Sequence, residues 1–475
     1  MLFRMIYDDR LAQAAYLIGC QKTGEAIIVD PERDIDRYIE AAAKEKMRIV
    51  AATETHIHAD FVSGCREFAE RGVRVYLSDE GDADWKYQWL DKKTGGGKYD
   101  AVLLKDGDTF KVGNIELRAV HTPGHTPEHL CFLVTDRGGG ATEPMGALTG
   151  DFVFVGDLGR PDLLETAAGN KGSAEPSARR LFTTVGGLAK WADYLQVWPG
   201  HGAGSACGKA LGAVPQSTVG YEKRFNPAIL AARSEPGFVQ FILEGQPEPP
   251  LYFAKMKKWN KVGPPVLGEV PKPREMTGKD LAGIDTKRVA VVDTRPWKAF
   301  KDGHAAGALY IPHDSMFPGI AGSYIGDDED VVLIARAAEV DGLVRSLIRV
   351  GVDRVVGWME PAAVAEFERA GGKVATTPEI TVAEAKATLE DKGAYFLDVR
   401  RADEFAEGHL PGAHLAPHVR LPSRLEDLPK DKRIIVNCRS GGRSGRASAL
   451  LQRAGFDAVN VEGGWLAWEK MERGQ

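Results

Sequence analysis

The sequence predicts an α/β protein built from several domains. Its 475 residues are too many for one ordinary core, and length alone suggests about three domains. Short apolar runs alternate with turn residues and helical spacing through the first 200 residues. A self-similar pattern then occurs twice, over residues 276–372 and 378–475.

Taken in order, Glu25–Asp30, Arg48–Thr53 and Ile115–Val120 read as strands. Residues 33–46 read as a helix, because Ile35, Tyr38, Ile39 and Ala42 fall on one face. The strand ending at Thr53 delivers Thr55-His56-Ile57-His58-Ala59-Asp60-Phe61. Later come His125 in Pro-Gly-His-Thr, Asp151 in Thr-Gly-Asp and His201 in Pro-Gly-His-Gly. Loops at strand ends, carrying His and Asp, are how a metal site is assembled on a rigid sheet. Position 61 decides what kind. A binuclear site of this type needs a second His there, and Phe61 has no lone pair to give.

The ordered motifs HxHxD, PGHT, TGD and PGHG resemble the metallo-β-lactamase superfamily over roughly residues 1–240. That resemblance implies an αβ/βα sandwich with the metal at one edge of two sheets. Members with HxHxDH hold two metals and hydrolyse thioesters, β-lactams or phosphodiesters. The persulfide dioxygenases among them hold one iron, through positions matching His56, His125 and Asp151. Two His and one carboxylate leave open positions for substrate and O2 on Fe(II), one ion per chain, although Zn also suits these donors. The stretch from Gly150 through Arg160 to Leu163 is similar to the dioxygenase version of that loop. His58, Asp60, His201 and Arg160 are expected to orient the ligands or a bound water. His121 and His129 are expected to be structural. Glutathione-using members carry a Tyr where this chain has Ala203 and an Arg where it has Ala228, so another low-molecular-weight thiol fits equally well. Cys207 follows His201 on a run of Gly, Ala and Ser, and is read either as a spectator or as an accessible thiol that relays sulfur.

Residues 246–275 read as a Pro-rich connector after a first domain of residues 1–245, with Tyr252, Phe253, Met256 and Trp259 docking part of it. In the repeat, Ala290–Pro296 matches Tyr395–Arg401, Val331–Ala335 matches Ile434–Cys438, and Arg349–Val352 matches Arg453–Phe456. Strands alternating with helices imply a parallel sheet in each copy. The pattern Asp-x-Arg, Gly-His, strand-Cys-loop-helix and Gly-Gly-Trp resembles the rhodanese sulfurtransferases. In the second copy Cys438-Arg439-Ser440-Gly441-Gly442-Arg443 lies between a strand and a helix from about Ser444 to Ala454. A Gly-rich loop at a helix start turns backbone N–H groups inward and favours a thiolate or persulfide anion on Cys438. Arg439 and Arg443 are expected to hold a sulfonate. The first copy has Ala335 in place of the Cys and two acids, Glu339 and Asp341, in its loop. It is read as catalytically silent.

Hydrophobic content of 43% with 27% charged residues describes a globular chain, and a net charge of −6 gives no sign of nucleic-acid binding. No apolar run approaches a membrane span, and the acidic N-terminus does not read as a signal peptide. Five widely spaced cysteines without a CxxC point to a reducing, cytoplasmic setting. The combined expectation is oxidation of a low-molecular-weight thiol persulfide by O2 to sulfite, followed by sulfur transfer through Cys438 to give thiosulfate, with an oligomer allowed. The alternatives are a zinc thioesterase of the glyoxalase type and a sulfur carrier or sensor whose metal domain only binds.

Overall fold

A computed structural model describes residues 1–474 apart from 168, 210, 213, 215 and 390–392. The chain forms two compact units, Met1–Glu269 and Val270–Gln475.

The first unit contains two six-stranded sheets. One sheet runs in sequence order through Leu2–Asp8, Gln13–Cys20, Glu25–Val29, Arg48–Thr53, Arg74–Ser78 and Ala101–Leu104. Its first pairings are antiparallel and its last three parallel. The other sheet holds Thr109–Val112, Ile115–His121, Leu130–Asp136, Gly146–Gly150, Gln196–Pro199 and Ser217–Thr218, again in sequence order. Alternate residues of both, such as Ile18, Ile27 and Val29 against Leu117, Phe132 and Leu148, fill the space between them. Helices cover the outer faces: Tyr38, Ala42 and Phe68 pack on the first sheet, and Ala178, Leu181 and Phe238 on the second. The strand periodicity of two thus assigns one face of each sheet to the central core and the other to a helix layer.

The helix expected over 33–46 is observed over Asp36–Lys44. Lys46 takes a left-handed backbone (φ 57°), which stops it. The two sheets meet at the site end, where Ala14 N–H donates to the Gly200 carbonyl at 2.9 Å.

The Pro-rich segment is less of a free connector than its composition suggests. Phe253–Val262 is a helix with Phe253, Met256 and Asn260 buried. Arg66 donates to the Pro264 carbonyl at 2.6 Å, and Glu67 accepts from Leu267 and Gly268 N–H at 2.7 and 3.1 Å. The first unit therefore extends to Glu269.

The second unit contains two five-stranded sheets of matching order. The first runs Arg274–Glu275, Val355–Met359, Asp330–Ile334, Val289–Asp293, Leu309–Tyr310. The second runs Glu379–Ile380, Ala458–Val461, Arg433–Asn437, Ala394–Asp398, His414–Leu415. All pairings within them are parallel. The repeat read in the sequence is therefore a structural one, yet both copies belong to one compact unit. Ala449, from the helix after Cys438, lies in the core of the first copy beside Phe300 and Tyr310. A Cβ on Gly445 of the same helix would lie 3.1 Å from the Trp297 ring. The first copy thus packs directly against the helix that follows the Cys438 loop.

Candidate metal centre and sulfur-transfer loop

His56, His125 and Asp151 converge, with one ligand atom from each within 4.8 Å of the others, and all three are buried. His125 Nδ1 lies 2.9 Å from the Arg160 carbonyl. A carbonyl only accepts, so Nδ1 carries the proton and the Nε2 lone pair points inward, 3.5 Å from Asp151 Oδ2. His56 Nδ1 pairs with Thr55 Oγ1 at 3.0 Å, which leaves its Nε2 3.9 Å from the same carboxylate oxygen. Neither Asp151 oxygen has a hydrogen-bond partner, although the residue is fully buried. Burial works to raise the Asp151 carboxyl, but the imidazoles of His201 and His125 outweigh it and hold it below its ordinary value. Lone pairs facing an orphaned buried carboxylate are what a cation site looks like before the cation is counted, so these residues fit a metal.

Close backbone approach builds this arrangement. Gly150 has φ 47°, and a Cβ there would lie 2.4 Å from Thr55 Oγ1. A Cβ on Gly200 would lie 2.7 Å from Asp151 Oδ1. Any side chain at either position would push the loops apart.

Behind the triad, His201 Nδ1 pairs with the Ala12 carbonyl at 3.1 Å, and its Nε2 faces Asp60 Oδ2 at 3.2 Å and Asp151 Oδ1 at 3.6 Å. His58 turns away, with Nε2 3.1 Å from Asp30 Oδ1. Burial works against its charge, but Asp30 wins and pushes its pKa up to about 9. Phe61 is fully buried against the His58 ring, with centroids 4.3 Å apart. Arg160 is also buried. It makes a two-pronged pair with Asp162 at 2.8 and 2.6 Å, donates to the Ala206 and Pro247 carbonyls, and offers its own carbonyl to His125.

In the second unit, Cys438 ends the strand Arg433–Asn437, and the helix Gly442–Arg453 follows its loop. Gly441 has φ 95°, and its N–H and the Ser444 hydroxyl both donate to Cys438 Sγ at 3.2 Å. The Cys438 carbonyl accepts from Trp465 N–H at 2.7 Å, and a Cβ on Gly464 would lie 2.3 Å from that oxygen. The Gly-Gly-Trp segment therefore seats the loop from below.

A crystal structure of a metallo-beta-lactamase from Staphylococcus aureus subsp. aureus COL is 40% identical to this chain. It matches 76% of this chain and 99% of its own, with a TM-score of 0.67. The metallo-beta-lactamase superfamily model matches residues 8–185. The chain belongs to the metallo-beta-lactamase superfamily. It also carries a C-terminal rhodanese-like domain, matched over residues 381–471. A putative sulfurtransferase, YtwF of Bacillus subtilis (strain 168), is 44% identical over 95 residues, 19% of this chain and 89% of the relative. A probable polyketide biosynthesis zinc-dependent hydrolase, BaeB of Bacillus velezensis, is 26% identical across 46% of this chain and 84% of its own length.

The accessible thiolate that a sulfur relay through Cys207 requires is not found, which leaves the spectator reading. The residue is 1% exposed, and burial together with the charges of Asp60 and Asp151 pushes its thiol well up. It sits instead within 4.8 Å of ligand atoms of Asp60 and His201, as a second donor group. Ala228 is buried behind the Asn226 cap, so this position does not offer a side chain to a ligand. Ala203 does face open space, on a mainly apolar cleft of about 300 Å³ that also touches Tyr7, Tyr16 and His201. A larger cleft of about 1070 Å³ lies beside Gly124 and Pro127, but none of His56, His125 and Asp151 lines it.

In the rhodanese-like domain, Arg439 is exposed, whereas Arg443 is held by Glu404 at 2.6 and 2.7 Å rather than standing open for a sulfonate. Burial works to raise the Glu404 carboxyl, but Arg443 draws it down to about 2. A depressed carboxyl stabilises the fold above its unfolded value near 4.5 and loses that contribution as pH falls towards 2. Glu404→Gln should therefore cost on the order of 1–2 kcal/mol at neutral pH, after solvent screening. In denaturant titrations, its stability gap to the parent should close as pH falls through that window.

Ala335 of the first copy is buried at the matching strand end. The Ala337 N–H in its loop already donates to a carboxylate, Glu360, at 2.9 Å, and Glu339 pairs with Arg336. Ala335→Cys should therefore add no thiosulfate–cyanide transfer activity to a Cys438→Ser background. A measured gain would show that this loop can still cradle an anion.

Three supports were not read from the sequence. His129, expected only to be structural, accepts the Asp151 N–H at 3.0 Å, and burial drives its pKa down to about 3, so it remains a neutral acceptor. Asp30 accepts from Thr55 N–H at 2.6 Å and pairs with His58. Glu128 accepts the Ile57 N–H at 2.7 Å. The one sequence signal was a cluster of polar residues beside apolar strands. Among the described residues, no helix is long and apolar enough to cross a membrane.

Proposed function

We propose that this chain is a bifunctional sulfur enzyme: a persulfide dioxygenase joined to a sulfurtransferase. The observation that carries the reading is the pairing, in one chain, of a two-His, one-carboxylate site flanked by Phe61 with a Cys438 loop built as a sulfur-anion cradle. His56, His125 and Asp151 would hold one Fe(II), which when bound supplies the redox chemistry between a persulfide sulfur and O2. The chain's own residues do the rest at that site. Arg160 and Thr55 orient the two imidazoles, Phe61 removes a donor that a second ion would use, and the apolar cleft at Ala203 gives a thiol carrier a way to His201.

The reaction balances as RSSH + O2 + H2O → RSH + SO3²⁻ + 2H⁺. In the second step Cys438 takes the terminal sulfur of a persulfide as Cys–S–S⁻, releasing RSH. Sulfite attacks that outer sulfur, the S–S bond to Cys438 breaks, and thiosulfate leaves with Cys438 as thiolate. The Gly441 N–H and the Ser444 hydroxyl stabilise the sulfur anion at both stages. A low-molecular-weight thiol persulfide, O2, sulfite and thiosulfate are the proposed small-molecule partners, and a cytoplasmic setting supplies the free thiols.

A zinc thioester hydrolase is the second reading. Asp60, His201 and Cys207 favour it, since they offer donors beside Asp151 for another cation. The deciding experiment is anaerobic purification, metal analysis, and O2 uptake with a defined persulfide against thioester cleavage. Iron with O2 uptake and sulfite release supports the dioxygenase. Zinc with thioester cleavage and no O2 uptake sinks it.

A further inference from the structure

We infer that Asn260 is a positioning residue for the His56–Asp60 loop, carried by a strap, residues 253–268, that lies outside the span matched by the superfamily model. The inference rests on the metal-site reading of His56, His125 and Asp151, and extends it.

The loop from Thr55 to Ser63 belongs to no helix or sheet, so its buried backbone groups need other partners. Its first part is held from within the sandwich: Asp30 accepts from Thr55 N–H, and Glu128 from Ile57 N–H. Its second part is anchored at its far end by the Ser63 bridge to Glu32 and the Ser63 hydroxyl on Glu54, and across the Asp60 stretch by one side chain, Asn260. Asn260 Nδ2 donates to the His58 carbonyl at 2.8 Å and to the Phe61 carbonyl at 2.8 Å, while Oδ1 accepts from Ser63 N–H at 2.9 Å. Asn260 is 2% exposed. Both amide hydrogens and the carbonyl are in use, so the full hydrogen-bonding character of an amide is matched to this stretch of backbone.

Asp60 lies between the two carbonyls that Asn260 holds. Its carboxylate has no hydrogen-bond partner and faces His201 Nε2 at 3.2 Å. Its aim therefore depends on the backbone on either side of it, and Asn260 ties down the two carbonyls that flank it. Outer groups that fix the orientation of ligand loops affect metal affinity without touching the ion.

The strap does not depend on this amide to dock. Phe253 and Met256 are fully buried, Gln88 N–H donates to the Lys261 carbonyl at 2.8 Å, and the Arg66 and Glu67 bonds hold its far end. Loss of the amide should therefore loosen the loop and leave the helix seated. Asn260→Asp would set carboxylate oxygens against two carbonyl oxygens, and Asn260→Leu keeps the shape while removing all three bonds.

The test uses the full chain, with Co(II) as a spectroscopic probe under anaerobic conditions. Asn260→Asp and Asn260→Leu are expected to weaken Co(II) binding about 10- to 100-fold and to change its visible absorption. Met256→Ala, in the same helix without a bond to the loop, is expected to lower the melting temperature with affinity and spectrum unchanged. Asn260→Ser serves the same comparison if the two larger changes prevent folding. Asn260 variants with parental affinity and spectrum overturn the inference, as does a Met256→Ala protein that loses metal equally. Either result leaves the metal reading standing. A parent chain that binds no Co(II) overturns the metal reading, and the inference with it.

Discussion

His56→Ala should strip the bound metal from the protein and, under the proposed dioxygenase reaction, end O2 consumption with a persulfide, while thiosulfate–cyanide sulfur transfer continues at the parental rate. The substitution removes one of three donors and leaves His125 and Asp151 as a two-point site. Changes one layer further out typically cost 10- to 100-fold in metal affinity, so loss of a ligand itself should exceed about 100-fold. The sulfur-transfer rate should hold because Cys438 and all its hydrogen-bond donors belong to the other compact unit. Metal content by elemental analysis and O2 uptake by electrode give the two readouts. An iron-loaded, O2-consuming His56→Ala protein would remove the triad from consideration. A simultaneous loss of sulfur transfer would mean the variant had misfolded or that the two activities share a site.

Cys438→Ser should abolish sulfur transfer and change the product of persulfide oxidation from thiosulfate to sulfite. The serine hydroxyl can still accept from Gly441 N–H, so the loop should keep its shape. It cannot hold a sulfane sulfur, because an oxygen in that place forms no stable persulfide. Sulfite formation at the metal site needs no thiol from this loop, so O2 uptake should be preserved. The expected fall in transfer is to background, and sulfite should account for the oxidised sulfur. Undiminished thiosulfate would place the sulfur-carrying group elsewhere.

His56, His125 and Asp151, the ligands expected from motif order, come together because their motifs sit on loops at strand ends. Once Arg48–Thr53, Gly146–Gly150 and Gln196–Pro199 are strands, the residues just beyond them must gather at one edge of the sandwich. Cys438 was legible for a similar reason: a strand, a Gly-rich loop and a helix start in immediate succession make a cradle from local sequence alone. Phe61 was informative by what it lacks, and a missing donor needs no tertiary context to be noticed.

Other residues could not be read this way, because their roles are created by partners far along the chain. Asn260 is an ordinary residue on a helix surface until folding places it against His58 and Phe61, about 200 positions earlier. Arg443 read as an open cation because Glu404, its partner, is 39 residues away on a different helix. Cys207 stayed open between spectator and accessible relay because its Gly and Ala neighbours allow a flexible loop. The tertiary structure instead folds it under Arg160, whose N–H binds the Cys207 carbonyl at 3.1 Å. Sequence alone determined the α/β class, the repeat, the Ala335 that replaces a cysteine in the first copy and the His and Asp residues at strand ends, since periodicity and neighbouring residues encode these. Which ring nitrogen of each histidine faces Asp151, which arginine is already paired and which thiol is buried were decided only by tertiary packing, because hydrogen bonds and desolvation depend on distance in space rather than distance along the chain.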